Sequence, residues 1–211
     1  MFSILRQALA GAISLFAYKQ IRKGSVFKCV LFILLACTVH KSAILCVFMV
    51  VLYVLHLKKF TGFKLIVFSI LAYFIFIIGI PLIALIYADS RYSGGTTRDG
   101  GYGMLLFMAA ITALILRMFK LTGTNRDKGL GYMFNLSCGA LMIQVGSLMW
   151  SLLTRTTVFF SFYWRLLIPN LICRLPKNKR IIYFIIVATL FGFMFFYQLS
   201  GVDMYVFHRF H

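Results

Sequence analysis

Apolar runs of near-spanning length, separated by short polar punctuation, organise almost the whole chain. They lie near 2–18, 29–39, 42–56, 65–87, 104–119, 131–153, 156–173 and 181–199. A helix needs ~20 apolar residues to cross a bilayer, and each crossing must carry the chain to the opposite face. The pattern predicts an all-α fold: a polytopic integral membrane bundle of about seven or eight transmembrane or re-entrant helices. It forms one domain over 1–211, with no soluble domain, repeat or heptad array. The stretch 29–56 is bounded by basic residues on both sides, so a single pass would leave one basic group on the wrong face. Its polar interruption at His40, Lys41 and Ser42 predicts either two tilted helices or a re-entrant hairpin. A kink is expected at Pro81 in the fourth run.

Composition agrees with this solvent assignment. With 62% hydrophobic residues, no glutamate and only Asp89, Asp99, Asp127 and Asp203 as acids, the chain lacks the charged surface of a soluble domain. The net charge of +18 would otherwise point to nucleic acid, but the charge sits between apolar runs, not on a soluble basic face. Nucleic acid is excluded as a partner on that ground. Fifteen of the 22 Lys and Arg residues form four groups: Lys19, Arg22, Lys23 and Lys28; Lys58, Lys59 and Lys64; Arg117, Lys120, Arg126 and Lys128; and Arg174, Lys177, Lys179 and Arg180. Short basic loops stay on the cytoplasmic side. The first run has its positive flank after it, so it reads as an anchor and not a cleaved signal, and both termini are expected outside. Cys29, Cys37, Cys46, Cys138 and Cys173 occur singly, without metal-ligand spacing, and read as small packing residues.

The cations left over are Arg6, Lys41, Arg91, Arg98, Arg155, Arg165 and Arg209, most of them toward the outer face in this topology. A charge retained near a span is a functional-site hypothesis by default, and arginine grips phosphate oxygens with a planar fork. Snorkelling to headgroups is the plainer account. The loop 88–103 holds Asp89, Arg91, Arg98 and Asp99 with five glycines, a composition for an external loop. His40 stands apart from span ends and tail, and imidazole titrates near neutrality; a satisfied polar group at a helix break is its structural alternative. Phe159, Phe160, Phe162, Tyr163 and Trp164 read as lipid-facing and interfacial packing, with a sugar ring or polyprenyl tail as the other occupant.

Certain of these residues resemble a known family. Arg6-Gln7 before Ala8-Leu9-Ala10, the stretch Ala36 to Ala43 around His40 and Lys41, and Arg155 four residues before Phe159-Phe160 with Leu167-Ile168-Pro169 beyond are similar to the pattern of EpsG-like proteins, relatives of the Wzy polymerases. The family's aromatic pair is commonly Tyr-Phe, and here it is Phe159-Phe160. Members usually carry further spans before the Arg-Gln segment, so this chain is expected to correspond to a carboxyl-terminal part, which bears on whether it acts alone.

The resemblance implies a bacterial inner-membrane glycosyltransferase that joins polyprenyl-diphosphate-linked repeat units of O-antigen, capsule or exopolysaccharide on the outer face. His40, Arg155 and Arg6 are the expected catalytic residues. Arg6 and Arg155 would meet diphosphate; of the base candidates His40, Asp89 and Asp99, His40 is the first choice because the helix break places it near the outer lipid boundary. Arg91, Arg98, Arg165, Lys41, Asp89 and Asp99 are expected to bind substrate. No metal or cofactor is expected, since no carboxylate cluster is present. Partners are the lipid-linked oligosaccharide, membrane lipids and other polysaccharide-assembly proteins. Two other classes fit the same arginines: a lipid-linked glycan or anionic-solute transporter, and a non-catalytic remnant or scaffold.

Overall fold

The computed structural model describes residues 2–55, 62–86, 101–124, 127–148, 153 and 156–207. Among these the secondary structure is helical. Helix α1 is Phe2–Arg22, α2 is Val26–Val39, a 3-10 segment Lys41–Cys46 leads into α3 (Val47–Val54), and α4 is Gly62–Ile86. Then come α5 (Gly101–Thr122), α6 (Lys128–Ser147), α7 (Val158–Arg174) and α8 (Lys177–Phe207). Helix α4 continues through Pro81. The described stretches Tyr102–Thr122 and Lys177–Phe196 are long and apolar enough to cross a membrane, while Val26–Val39, Lys41–Val54 and Phe63–Ile75 are apolar but shorter.

Two ends of the bundle can be told apart by what meets there. At α1's end the chain makes a Schellman turn: the Ser25 N–H donates to the Gln20 carbonyl at 3.1 Å and the Gly24 N–H to Ile21 at 2.9 Å. Gly24 sits at φ +80°, which an L side chain adopts only with strain. The turn folds α2 back along α1. Helix α3 then returns to the same level, because a β-carbon on Gly24 would stand 3.5 Å from the Tyr53 hydroxyl. Residues 26–54 are therefore a hairpin whose tip is His40. With 14 residues at ~1.5 Å each, α2 rises ~21 Å, short of the ~30 Å hydrocarbon core.

Helices α6 and α7 form the second pillar. Fourteen residues of α6 are buried, and it is packed by α3, α4, α5 and α7. Its start is fixed by Asp127, whose Oδ1 accepts from the backbone N–H of Gly129 at 2.9 Å and of Leu130 at 3.0 Å. The other carboxylate oxygen accepts from Arg174 Nη1 at 2.7 Å, joining the start of α6 to the end of α7. The Leu130 N–H bond, then Arg174, hold the Asp127 carboxyl below the usual range. Farther along, Trp164 Nε1 donates to the Ser137 carbonyl at 3.0 Å, and a β-carbon on Gly139 would stand 3.3 Å from both Phe160 and Phe48.

Outward faces carry large apolar groups: Phe27 is 80% exposed and Leu106 71%. Of the apolar window in α8 only 11% is buried. Such surface is tolerable where hydrocarbon is the solvent and would drive aggregation in water. The aromatic run of α7 departs from its sequence reading. Phe159, Phe160, Tyr163 and Trp164 are all buried and turn inward, because α7 lies between α1, α5, α6 and α8 and offers lipid little surface. Cys29, Cys46 and Cys138 are buried as packing residues, whereas Cys173 is exposed; all five thiols are free.

The Asp127 cap yields the first prediction. Asp127→Ala should destabilise the detergent-solubilised protein by about 0.5–2 kcal/mol, the usual effect of losing an N-cap, and Asp127→Asn by less because the amide oxygen can still cap. Because the folded carboxyl titrates low, its contribution is present above ~4, the ordinary carboxylate pKa, and fades as pH falls through the folded value. Melting curves from pH 7 to pH 3 should converge for wild type and Asp127→Ala; curves that stay parallel would show that the carboxylate is not what stabilises the corner.

Candidate functional site

The hairpin tip is the irregular point of the apolar architecture. His40 has extended backbone, φ −150° and ψ 113°, between α2 and the 3-10 segment. Its N–H donates to the Ala36 carbonyl and its own carbonyl accepts from the Ala43 N–H, both at 2.9 Å. The break therefore leaves the His40 peptide groups satisfied, as apolar surroundings require. What it exposes is side-chain chemistry. The half-buried imidazole stacks on Phe159 at the start of α7, with ring centroids 6.2 Å apart and planes 27° apart. Lys41 is exposed. The Ser42 hydroxyl is buried with no hydrogen-bond partner among the described residues, an arrangement that calls for an explanation in a native interior.

Supports for this tip come from below. The Tyr132 hydroxyl on α6 donates to the Met49 carbonyl at 2.7 Å, and the Tyr163 hydroxyl on α7 points to Met49 Sδ at 3.3 Å. Tyr18 stacks near Tyr132 and tilts against Tyr163, with centroids 6.0 and 5.1 Å away. Four helices thus share a rigid aromatic block under the returning arm of the hairpin. Phe48 meets Phe160 edge-on at 5.9 Å, one residue along from the ring that stacks on His40.

The expected site residues divide by location. Arg6 lies exposed on α1, one turn before the point where Gly11 abuts α7. A β-carbon on Gly11 would stand 2.9 Å from Phe162 Cε2, so glycine is what lets α1 approach. Arg165 is exposed on α7 with its guanidinium 5.5 Å from the centroid of that same Phe162 ring, a cation–π arrangement. Phe162 thus links α1 to Arg165. Arg155, Arg91, Arg98, Asp89 and Asp99 lie outside the described residues. Leu167 and Ile168 are buried and Pro169 lies within α7.

Sequence reasoning did not single out Ser42 as chemistry, nor the tyrosine block, Gly11 or Asp127 as supports. Ser42 stood in the polar triplet but carried no signal of its own. Among the described residues no three His, Cys, Asp or Glu side chains are grouped as metal ligands would be.

A chain whose described residues are helical, with outward-facing apolar side chains, spanning-length helices and a polar break between short apolar helices, is a helical membrane protein. The EpsG family model matches residues 1–207, so the chain belongs to the EpsG family. Comparison with curated proteins and with solved structures found no match.

The Gly11 contact gives the second prediction. Gly11→Val should destabilise the protein by about 1–3 kcal/mol through overpacking against Phe162. Gly192→Val, on α8 where an added β-carbon meets nothing within 4 Å, serves as the control and should change little. Unfolding by SDS titration measures both; equal effects would show that the α1 to α7 approach carries no special constraint.

Proposed function

We propose that this EpsG-family chain joins lipid-linked glycan repeat units, with the reaction centred on the His40 hairpin tip at the outer face of the cytoplasmic membrane. The observation that carries the reading is the tip itself: an imidazole stacked on Phe159, near a buried Ser42 hydroxyl with no hydrogen-bond partner among the described residues, at a break between short apolar helices. Family membership supplies the reaction class.

In this reading the acceptor sugar's hydroxyl oxygen attacks the anomeric carbon of the growing chain. The bond from that carbon to the diphosphate oxygen breaks, and the electron pair leaves with the polyprenyl diphosphate. His40 takes the hydroxyl proton, which a positioned base removes most effectively with a pKa near the working pH. Ser42 hydrogen-bonds the acceptor, and Lys41 lies beside it. Arg155 and Arg6 meet the negative charge that builds on the diphosphate, a role for preorganised cations in a water-poor site. Arg165, Arg91, Arg98, Asp89 and Asp99 bind the sugar and phosphate groups farther from the reacting atoms.

His40→Asn keeps polarity and removes the base, and should slow polymerisation by about 10²–10⁴-fold, the usual contribution of general acid-base catalysis. Arg155→Ala should abolish long-chain polysaccharide while the protein remains in the membrane at normal abundance. Gel analysis of cell-surface glycan reads chain length, and single repeat units should accumulate on the outer face. Accumulation on the inner face would favour a transporter instead, and unchanged chain length in both variants would remove the assignment.

A further inference from the structure

At the opposite end of the bundle from His40, the last turn of α1 and the residue after it place Tyr18, Lys19, Arg22 and Lys23 around an open cleft of about 350 Å³. Their spacing, with residues three and four apart, puts Tyr18 and Lys19 over Arg22 and Lys23 on one helix face. A cation at a helix C-terminus favours the dipole, but that accounts for one charge and not for three around a cavity. A second element lies against one of its lining residues. Arg22 Nη2 lies 2.8 Å from where a β-carbon on Gly129 would stand, so the guanidinium rests over the start of α6, where only glycine leaves it room.

Local acid does not neutralise these cations. Asp127 lies nearby, but its oxygens already accept from two backbone N–H groups and from Arg174, the one ion pair among the described residues. The Tyr18 residue is only 8% exposed, and its hydroxyl sits beside the Arg22 guanidinium without a well-formed hydrogen bond to any described group. A planar guanidinium and two ammonium groups thus line one cleft over the buried Tyr18 hydroxyl, with no ion-pair partner among the described residues. Phosphate oxygens are the ligand atoms that satisfy all of them, since they accept several charged hydrogen bonds at once.

We propose that this cleft binds the phosphate headgroup of an anionic phospholipid in the leaflet that meets the basic end. The lipid source is favoured because the cleft lies at the end of an apolar helix and the turn after Arg22 leads directly into α2, whose Phe27 and Leu31 side chains are exposed to the surroundings an acyl chain would occupy. The assignment does not depend on the glycan reading, since it concerns the other end of the molecule.

The test uses the full chain in nanodiscs of phosphatidylcholine with phosphatidylglycerol, followed by native mass spectrometry of the lipid that stays bound. Wild type should retain phosphatidylglycerol selectively. Lys19→Gln with Arg22→Gln should reduce retention at least about tenfold, the effect of losing one charged hydrogen bond. Lys177→Gln with Lys179→Gln removes the same charge from the first turn of α8 and should retain wild-type binding. Equal losses in the two double variants would reduce the effect to bulk charge and overturn the site. If the wild type in pure phosphatidylcholine discs binds inorganic phosphate and shows no phosphatidylglycerol preference in mixed discs, the cleft takes a soluble phosphate and the lipid assignment fails.

Discussion

Every backbone N–H and C=O in an apolar solvent must find its partner within the protein, and that constraint shapes this chain more than any side-chain contact. It accounts for the helical content of the described residues and for the Schellman turn at Gly24. It also makes the break at His40 informative. A helix interruption there is stable only because the His40 N–H and carbonyl are taken by Ala36 and Ala43, leaving no peptide group of that residue bare. The irregular backbone is held in register by neighbouring side chains, above all the Tyr132 hydroxyl on the Met49 carbonyl, four helices meeting in one aromatic block.

The fold was legible where the physics is periodic or electrostatic. Length of apolar runs announces helices, and clustered Lys and Arg announce their ends; Arg22, Lys128 and Arg174 do gather at one end of the bundle, around Asp127. The polar triplet His40-Lys41-Ser42 marked the break before any geometry was known. The basic residues on both sides of 29–56 already implied that the chain returns; what nothing local gives is the contact that closes the return, the Tyr53 to Gly24 approach, 29 residues apart in the chain. The inward turn of Phe159, Phe160, Tyr163 and Trp164 was misread for a related reason. Aromatic residues near a span end suit an interface or a core equally well, and only the helices around α7 decide.

Close packing here depends on small residues more than on large ones. Gly11 admits the Phe162 ring, Gly139 lies beneath Phe160 and Phe48, and Gly129 leaves space for the Arg22 guanidinium. In lipid the association of apolar helices gains little from hydrophobic transfer, so close approach and buried polar contacts must supply the specificity. These glycines occupy the joints between α1, α6 and α7, the same helices that bear on the hairpin. A glycine's role in such a joint is invisible in sequence because its signal is the absence of a side chain.

The two ends of the molecule put positive charge to different uses. At the basic end the cations are dense, and the single acid described there is already committed to a helix cap and to Arg174. Toward the hairpin tip the cations among the described residues are sparse, with Arg6, Lys41 and Arg165 standing singly on exposed positions. Density suits holding a loop against a charged leaflet, where the sum of many weak attractions counts. Sparseness suits discrimination, because an isolated guanidinium over an aromatic ring, as Arg165 is over Phe162, has its direction set by the ring and its strength undiluted by neighbours. A chain without glutamate has few ways to balance either population internally. The net charge of +18 is therefore balanced by anions from outside the chain, and phosphate-bearing lipids are the source on which both proposed sites would draw.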